Sequence, residues 1–225
     1  MPTVTDEGPS RLGDSYYRYQ PASRRPVNLV VLLHGWTGDE NSMWIFTRSL
    51  PEHIAFIAPR APHPDQRGGY TWRQMPLGEI NTPRISDFYG AVDHLLGFID
   101  RWSQAENIDA STFSLLGFSQ GAALSLTFAL LHPSRIKALG ILSGFLPVDG
   151  EHLLADRPLA GKPIYIAHGR QDAMIPVEQA SRMAEILEGS GAKVTYCESD
   201  GGHSVSKECF KGMETFFKET VYPNH

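Results

Sequence analysis

Residues 113–131 read FSLLGFSQGAALSLTFALL. Phe113 to Leu116 is a short apolar run that stops at Gly117. Ala122 to Leu131 is apolar on nearly every side and ends before Pro133, whose ring cannot continue a helix. Gly117-Phe118-Ser119-Gln120-Gly121 lies between them, and its glycines let the chain reverse with little steric cost. The stretch therefore predicts a strand buried on both faces, a tight turn and a buried helix, the recurring unit of a parallel sheet.

The same alternation runs outward in both directions. Val27 to Leu33 (VNLVVLL) is a continuous run of β-branched residues and leucine, broken at His34-Gly35. Ile54 to Ala58, Ala138 to Leu142, Ile164 to Ala167 and Val194 to Cys197 are further short apolar runs. Helical patterns fall between them at Ser42 to Leu50, Ile85 to Trp102, Glu178 to Leu187 and Lys207 to Lys218. Strands alternating with helices of this length predict an α/β fold with a mostly parallel central sheet and helices on both faces. The chain has 225 residues, which suits a single domain over 1–225. Residues 1–13 read as a loose terminus. Tyr16, Tyr17 and Tyr19 suggest a short edge strand, and Gln20 to Pro26 a loop. Pro59 to Pro83 is the longest irregular stretch, and long loops in compact domains tend to be functional.

The totals narrow the function. The formal net charge is −5, which points away from nucleic-acid binding. No apolar run is long enough to span a membrane, and residues 1–26 lack the apolar core of a signal peptide. The two cysteines, Cys197 and Cys209, form no CxxC pair and no framework. They read as unpaired thiols in a reducing, cytoplasmic setting. No cluster has metal-ligand spacing, so no metal and no cofactor is implied.

In parallel sheets, sites gather at the carboxyl ends of the strands, and three segments there carry chemistry. Ser119 stands in a G-x-S-x-G turn between a strand and a helix, the context of a nucleophile elbow. A serine hydroxyl needs a base to take its proton, and the base needs a carboxylate to fix its tautomer. Asp172 follows the strand at Ile164, although it could equally cap a turn. His203 follows the last strand behind Gly201-Gly202, although it could be a surface histidine. Asp149 is the alternative acid, while Asp200 lies too close to His203 in the chain to serve. His132 and His168 are poorer bases, the first at a helix end and the second ahead of the acid. The order Ser119, Asp172, His203 is that of the α/β-hydrolases. In that fold the loop His34-Gly35-Trp36-Thr37-Gly38 supplies one oxyanion-hole N–H, and the residue after the serine supplies the other. Trp36 and Gln120 are the assignments. Trp36, Tyr70, Trp72 and Met75 are the candidates for an apolar substrate pocket, with packing roles as the alternative for Trp72 and Met75.

These segments resemble the phospholipase/carboxylesterase family, which includes the acyl-protein thioesterases. The likeness is carried by HG-W-TGDE, PRAP (Pro59 to Pro62), GFSQGAALS, HGRQDAMIPV and GGHS, and it extends from about Val30 to His203. It implies an α/β-hydrolase fold, a triad of Ser119, Asp172 and His203, and possible homodimers. The first loop is one residue longer than the family's common HGLGD form, which leaves Thr37 as the alternative to Trp36. A Trp-Phe-Asp segment follows PRAP in the lipid-protein thioesterases. Here the counterpart is Gly68 to Arg73, which favours hydrolysis of small short- to medium-chain carboxylic esters over protein deacylation. Lysophospholipase, acyl-thioesterase and, in a different class, an inactive hydrolase-fold binding protein are the alternatives.

Overall fold

In the computed structural model, residues 9–23, 28–48, 50–74 and 83–222 are described. Eight strands form one sheet: β1 (Ser10–Leu12), β2 (Ser15–Gln20), β3 (Asn28–Leu33), β4 (Ile54–Pro59), β7 (Phe113–Phe118), β8 (Ile136–Leu142), β9 (Pro163–Gly169) and β10 (Lys193–Ser199). Their spatial order is β1-β2-β4-β3-β7-β8-β9-β10. The six strands from β4 to β10 run parallel, and β1 and β2 are antiparallel additions at one edge.

All six apolar runs singled out in the sequence are these parallel strands. Their continuous apolarity has a plain cause, because each strand is covered on both faces. Val31, Leu33, Leu115, Ile141 and Ile166 point to one face, against α1 (Tyr89–Glu106), α2 (Gln120–Leu131) and α3 (Val177–Gly189). Val30, Leu32, Leu116, Leu142 and Ala167 point to the other, against α4 (Lys207–Thr215) and the turn that follows it. The even apolarity of α2 is explained the same way: every residue from Gln120 to Leu130 is buried.

Three local expectations are corrected. Ser10–Leu12 is a strand rather than loose terminus, paired to β2 through Leu12 and Ser15. The tyrosine strand β2 is therefore second from the edge. Among the described residues from Ser42 to Leu50 the regular structure is a 3-10 turn, Trp44–Thr47, whose start has no side-chain cap. The irregular stretch after Pro59 contains a two-stranded hairpin, β5 (His63–Pro64) with β6 (Tyr70–Thr71). Met75 lies outside the described residues.

Candidate active site

The elbow is built by sterics. Gly117 and Gly121 face each other across the turn, and a Cβ on Gly117 would collide with the Gly121 carbonyl. A Cβ on Gly121 would collide with the carbonyl of Leu33 at the end of β3. The residue between them is forced into a rare conformation, and Ser119 has φ 53° and ψ −116°. Such a backbone costs energy in an L-residue and persists only where the surroundings hold it. Here the Ser119 N–H donates to the Leu142 carbonyl at 2.9 Å, and the Ser119 carbonyl accepts from Ala122 and Ala123 at the start of α2.

The three predicted side chains meet above the carboxyl ends of β7, β9 and β10. His203 Nε2 is 2.9 Å from Ser119 Oγ, and His203 Nδ1 is 2.7 Å from Asp172 Oδ2. The other Asp172 oxygen accepts the backbone N–H groups of Met174 (2.9 Å) and Ile175 (3.0 Å). Burial pushes the Asp172 carboxyl pKa up. The Ile175, His203 and Met174 hydrogen bonds outweigh it and hold the group below the usual carboxylate range. An ionised Asp172 accepts from Nδ1–H, which leaves the Nε2 lone pair for the serine proton.

The loops bearing the acid and the base are stitched together. Arg170 and Gln171 donate backbone N–H groups to Ser199 (2.7 Å) and Gly201 (2.9 Å). The Arg170 guanidinium bridges Glu198 (2.6 Å) and Asp200 (2.7 Å), so Asp200 is engaged away from His203. Asp149, the alternative acid, forms an ion pair with Arg84. The His132 ring packs on Phe128.

Cys197 and Cys209 are bonded to each other, with 5.6 Å between their Cα atoms. This corrects the reading of two unpaired thiols and removes its argument for a reducing compartment. Spacing alone did not reveal the bridge, because only the packing of α4 against β10 brings the two side chains together.

The loop after β3 lies directly beside the serine. A Cβ placed on Gly35 would stand 3.4 Å from the Ser119 Cβ. The Thr37 N–H, one of the two candidate oxyanion-hole amides, is donated to the Tyr70 carbonyl at 3.0 Å. The start of this loop is held by His34. Its Nε2 accepts from the Ala61 N–H (3.1 Å), so its Nδ1 carries the proton and donates to the Gly35 carbonyl (2.7 Å). Burial pushes the His34 pKa down, against the opposing pull of the Gly35 carbonyl.

A cleft of about 450 Å³ opens beside His203, lined by Trp36, Met43, Ile45, Phe46, Phe118, Val205 and Phe210, with the glycines of the β3 loop. Trp36 is thus placed in the cleft, its indole N–H donating to Asp65 (2.7 Å) with the Arg67 guanidinium over its ring. Trp72 is not in the cleft. It is 1% exposed and donates its indole N–H to the His34 carbonyl (2.8 Å), so its pocket assignment is corrected to a core role. Tyr70 also stands outside the lining, its hydroxyl taken by Arg60 (3.0 Å) and its ring under the Arg60 guanidinium. The Gln120 side chain explains why this segment is buried: its amide oxygen accepts the Trp72 N–H at 2.8 Å and ties β6 to the elbow. Sequence reasoning missed Met43, Phe46, Val205 and Phe210. The one available signal was that Val205 and Phe210 closely follow the candidate base in the chain.

This architecture is the α/β-hydrolase fold, and solved structures share it. Esterase PE8 superposes with a TM-score of 0.78 at 26% identity, covering 90% of this chain and 97% of that one. A carboxylesterase from Mesorhizobium loti gives 0.78 at 21% identity, with 94% and 99% covered. The model of the phospholipase/carboxylesterase family matches residues 16–221. The chain belongs to that family, whose members are serine hydrolases acting on ester bonds. Among its relatives are a probable carboxylesterase of Oryza sativa subsp. japonica, 29% identical over 88% of this chain and 79% of the relative. Acyl-protein thioesterase 1 of Kluyveromyces lactis is 29% identical over 75% and 78%. Among the described residues, no helix is long and apolar enough to cross a membrane.

Proposed function

We propose that the protein is a serine carboxylesterase that hydrolyses short- to medium-chain carboxylic esters through an acyl-enzyme. The observation that carries this reading is the continuous path from Ser119 Oγ to His203 Nε2 (2.9 Å) and from His203 Nδ1 to Asp172 (2.7 Å).

In the mechanism, Ser119 Oγ attacks the ester carbonyl carbon as its proton passes to His203 Nε2. The carbonyl oxygen takes the negative charge and is held by the N–H groups of Trp36 and Gln120. One such donor is worth about 3 kcal/mol in the transition state. Collapse expels the alcohol, which leaves with the proton from Nε2. A water then gives its proton to Nε2, attacks the acyl carbon, and the acid departs as Ser119 Oγ is reprotonated. Asp172 stays ionised throughout and stabilises the imidazolium.

The cleft supports an apolar substrate group. Its volume lies within the roughly 300–1,000 Å³ usual for small-molecule sites, and Phe46, Phe118 and Phe210 give it aromatic walls. Triad and cleft come from one chain, so the chemistry does not require the homodimer that the family resemblance allows. A cytoplasmic setting is the part of the reading that the Cys197–Cys209 bridge bears against.

Turnover of p-nitrophenyl butyrate tests the proposal. Wild-type protein exceeds Ser119→Ala by orders of magnitude, and equal rates would sink it. The acyl-thioesterase reading draws on relatives of that name. A chain-length series of matched esters and thioesters separates the two, together with the lysophospholipase reading. The inactive-binder reading requires a fluorophosphonate to leave Ser119 unmodified.

A further inference from the structure

We propose that His168 is a positioning residue for Asp172, setting the carboxylate that orients His203; this rests on the triad reading above. His168 is the penultimate residue of β9, four residues before the acid, and both side chains are fully buried. Its Nε2 lies 2.9 Å from the Ile175 carbonyl and 3.4 Å from Asp172 Oδ2, the same oxygen that meets His203 Nδ1. Among the described residues its Nδ1 has no hydrogen-bond partner.

These contacts fix the tautomer. A carbonyl and a carboxylate are acceptors only, so Nε2 must carry the hydrogen. Nδ1 is then a bare lone pair. One N–H therefore does two jobs. It anchors the Ile175 carbonyl, which closes the turn whose N–H groups bind Asp172 Oδ1. It also stands 3.4 Å from Oδ2, the oxygen that meets His203 Nδ1. A carboxylate held at both oxygens has little freedom to rotate away from the base.

Asp172 meets the His168 ring from the loop that follows β9. Glu198 is its register partner on β10 and is itself engaged by Arg170 and Tyr196.

The test compares His168→Gln, His168→Asn and His168→Leu in the full chain. A glutamine amide nitrogen reaches the place of Nε2, whereas that of asparagine ends near Nδ1. Asn and Leu should lower kcat for p-nitrophenyl butyrate about tenfold or more while KM changes by less than about twofold. They should also move the acid limb of the kcat/KM profile to lower pH, because a loosened Asp172 stabilises the imidazolium less. The Gln variant should restore both, to within about threefold in rate. The far-downfield proton resonance of His203 Nδ1–H should persist in Gln and be lost to fast exchange in Asn and Leu. If Leu does not fold, the Asn and Gln pair still decides, since both are polar and similarly sized. Equal behaviour of Asn and Gln, or an unmoved acid limb in both, would overturn the role. The Nδ1–H resonance is read without turnover. If wild type and Ser119→Ala turn out equal, the esterase reading fails while this contact is still tested.

Discussion

Thr37 donates its backbone N–H to the carbonyl of Tyr70 at 3.0 Å, and Tyr70 returns a bond to the Gly38 carbonyl at 2.9 Å. The hairpin after Pro59 thereby holds the loop that stands over Ser119. Gly69 makes this approach possible. It has φ 67°, and a Cβ there would run into the Thr37 carbonyl. Gly69→Ala should push the loop away and misplace the Trp36 amide. A drop in kcat of about tenfold or more, with KM little changed, is expected in p-nitrophenyl butyrate assays. Unchanged kcat would show that the hairpin does not set the loop.

Removing either Ser119 or His203 should cost about the same as removing both. Ser119→Ala, His203→Ala and the double variant should each lose about three to six orders of magnitude in kcat, without additivity. Steady-state rates on one substrate check this, and a multiplicative double variant would argue that the two side chains act separately.

The cleft walls should set the chain-length preference. Phe210 stacks on Phe46 with 5.6 Å between ring centroids. Phe210→Ala opens that wall, and the ratio of kcat/KM for octanoate over butyrate esters should rise. Ile45→Trp should reverse the trend, because Ile45 is 56% exposed and stands at the cleft rim. Each methylene gained or lost in contact is worth up to about 0.8 kcal/mol. A ratio indifferent to both substitutions would move the acyl group elsewhere.

Stability should fall as pH drops below about 6.5, for a reason that can be assigned. Burial lowers the His34 pKa, and burial likewise lowers that of His94. Below the ordinary histidine pKa the unfolded chain therefore binds more protons than the folded one, and the fold is disfavoured. Urea melts at pH 7.5 and 5.5 should show a lower midpoint at the acid pH, with a smaller difference in His34→Gln. The Asp172 carboxylate acts in a lower window. Its stabilisation is complete above about pH 4 and is lost as pH falls through its depressed folded value.

The bridge between Cys197 and Cys209 closes a ring across a sequence separation of 12, and His203 lies inside it. Losing such a ring costs about 3 kcal/mol in the chain-entropy account. At roughly 2–4 °C per kcal/mol, Cys197→Ala with Cys209→Ala should lower Tm by about 6–12 °C. Thermal melts with and without a dithiol reductant check the same quantity. Rapid alkylation of protein taken from cells reports whether the thiols are paired there.

The parallel sheet was legible because burial on two faces leaves an unmistakable pattern in Val30 to Leu33 or Ile164 to Ala167. Positions 119, 172 and 203 were legible because each follows such a strand and small residues surround the serine and histidine. The cleft was not. Phe46 and Phe210 come from elements more than 160 positions apart, and nothing in either neighbourhood signals the other. Trp72 misled for a related reason. An aromatic residue in a Pro- and Gly-rich segment looks available, yet the Gln120 amide draws that segment inward. The disulfide was hidden because a sequence separation of 12, spanning strand end, loop and helix start, can place two thiols almost anywhere.

That covalent tie also changes what a protease can accomplish. Lys207 is exposed within the bridged segment, so trypsin can cut after it. The last helix would not be released. The two fragments would travel together on a non-reducing gel and part only when a thiol is added.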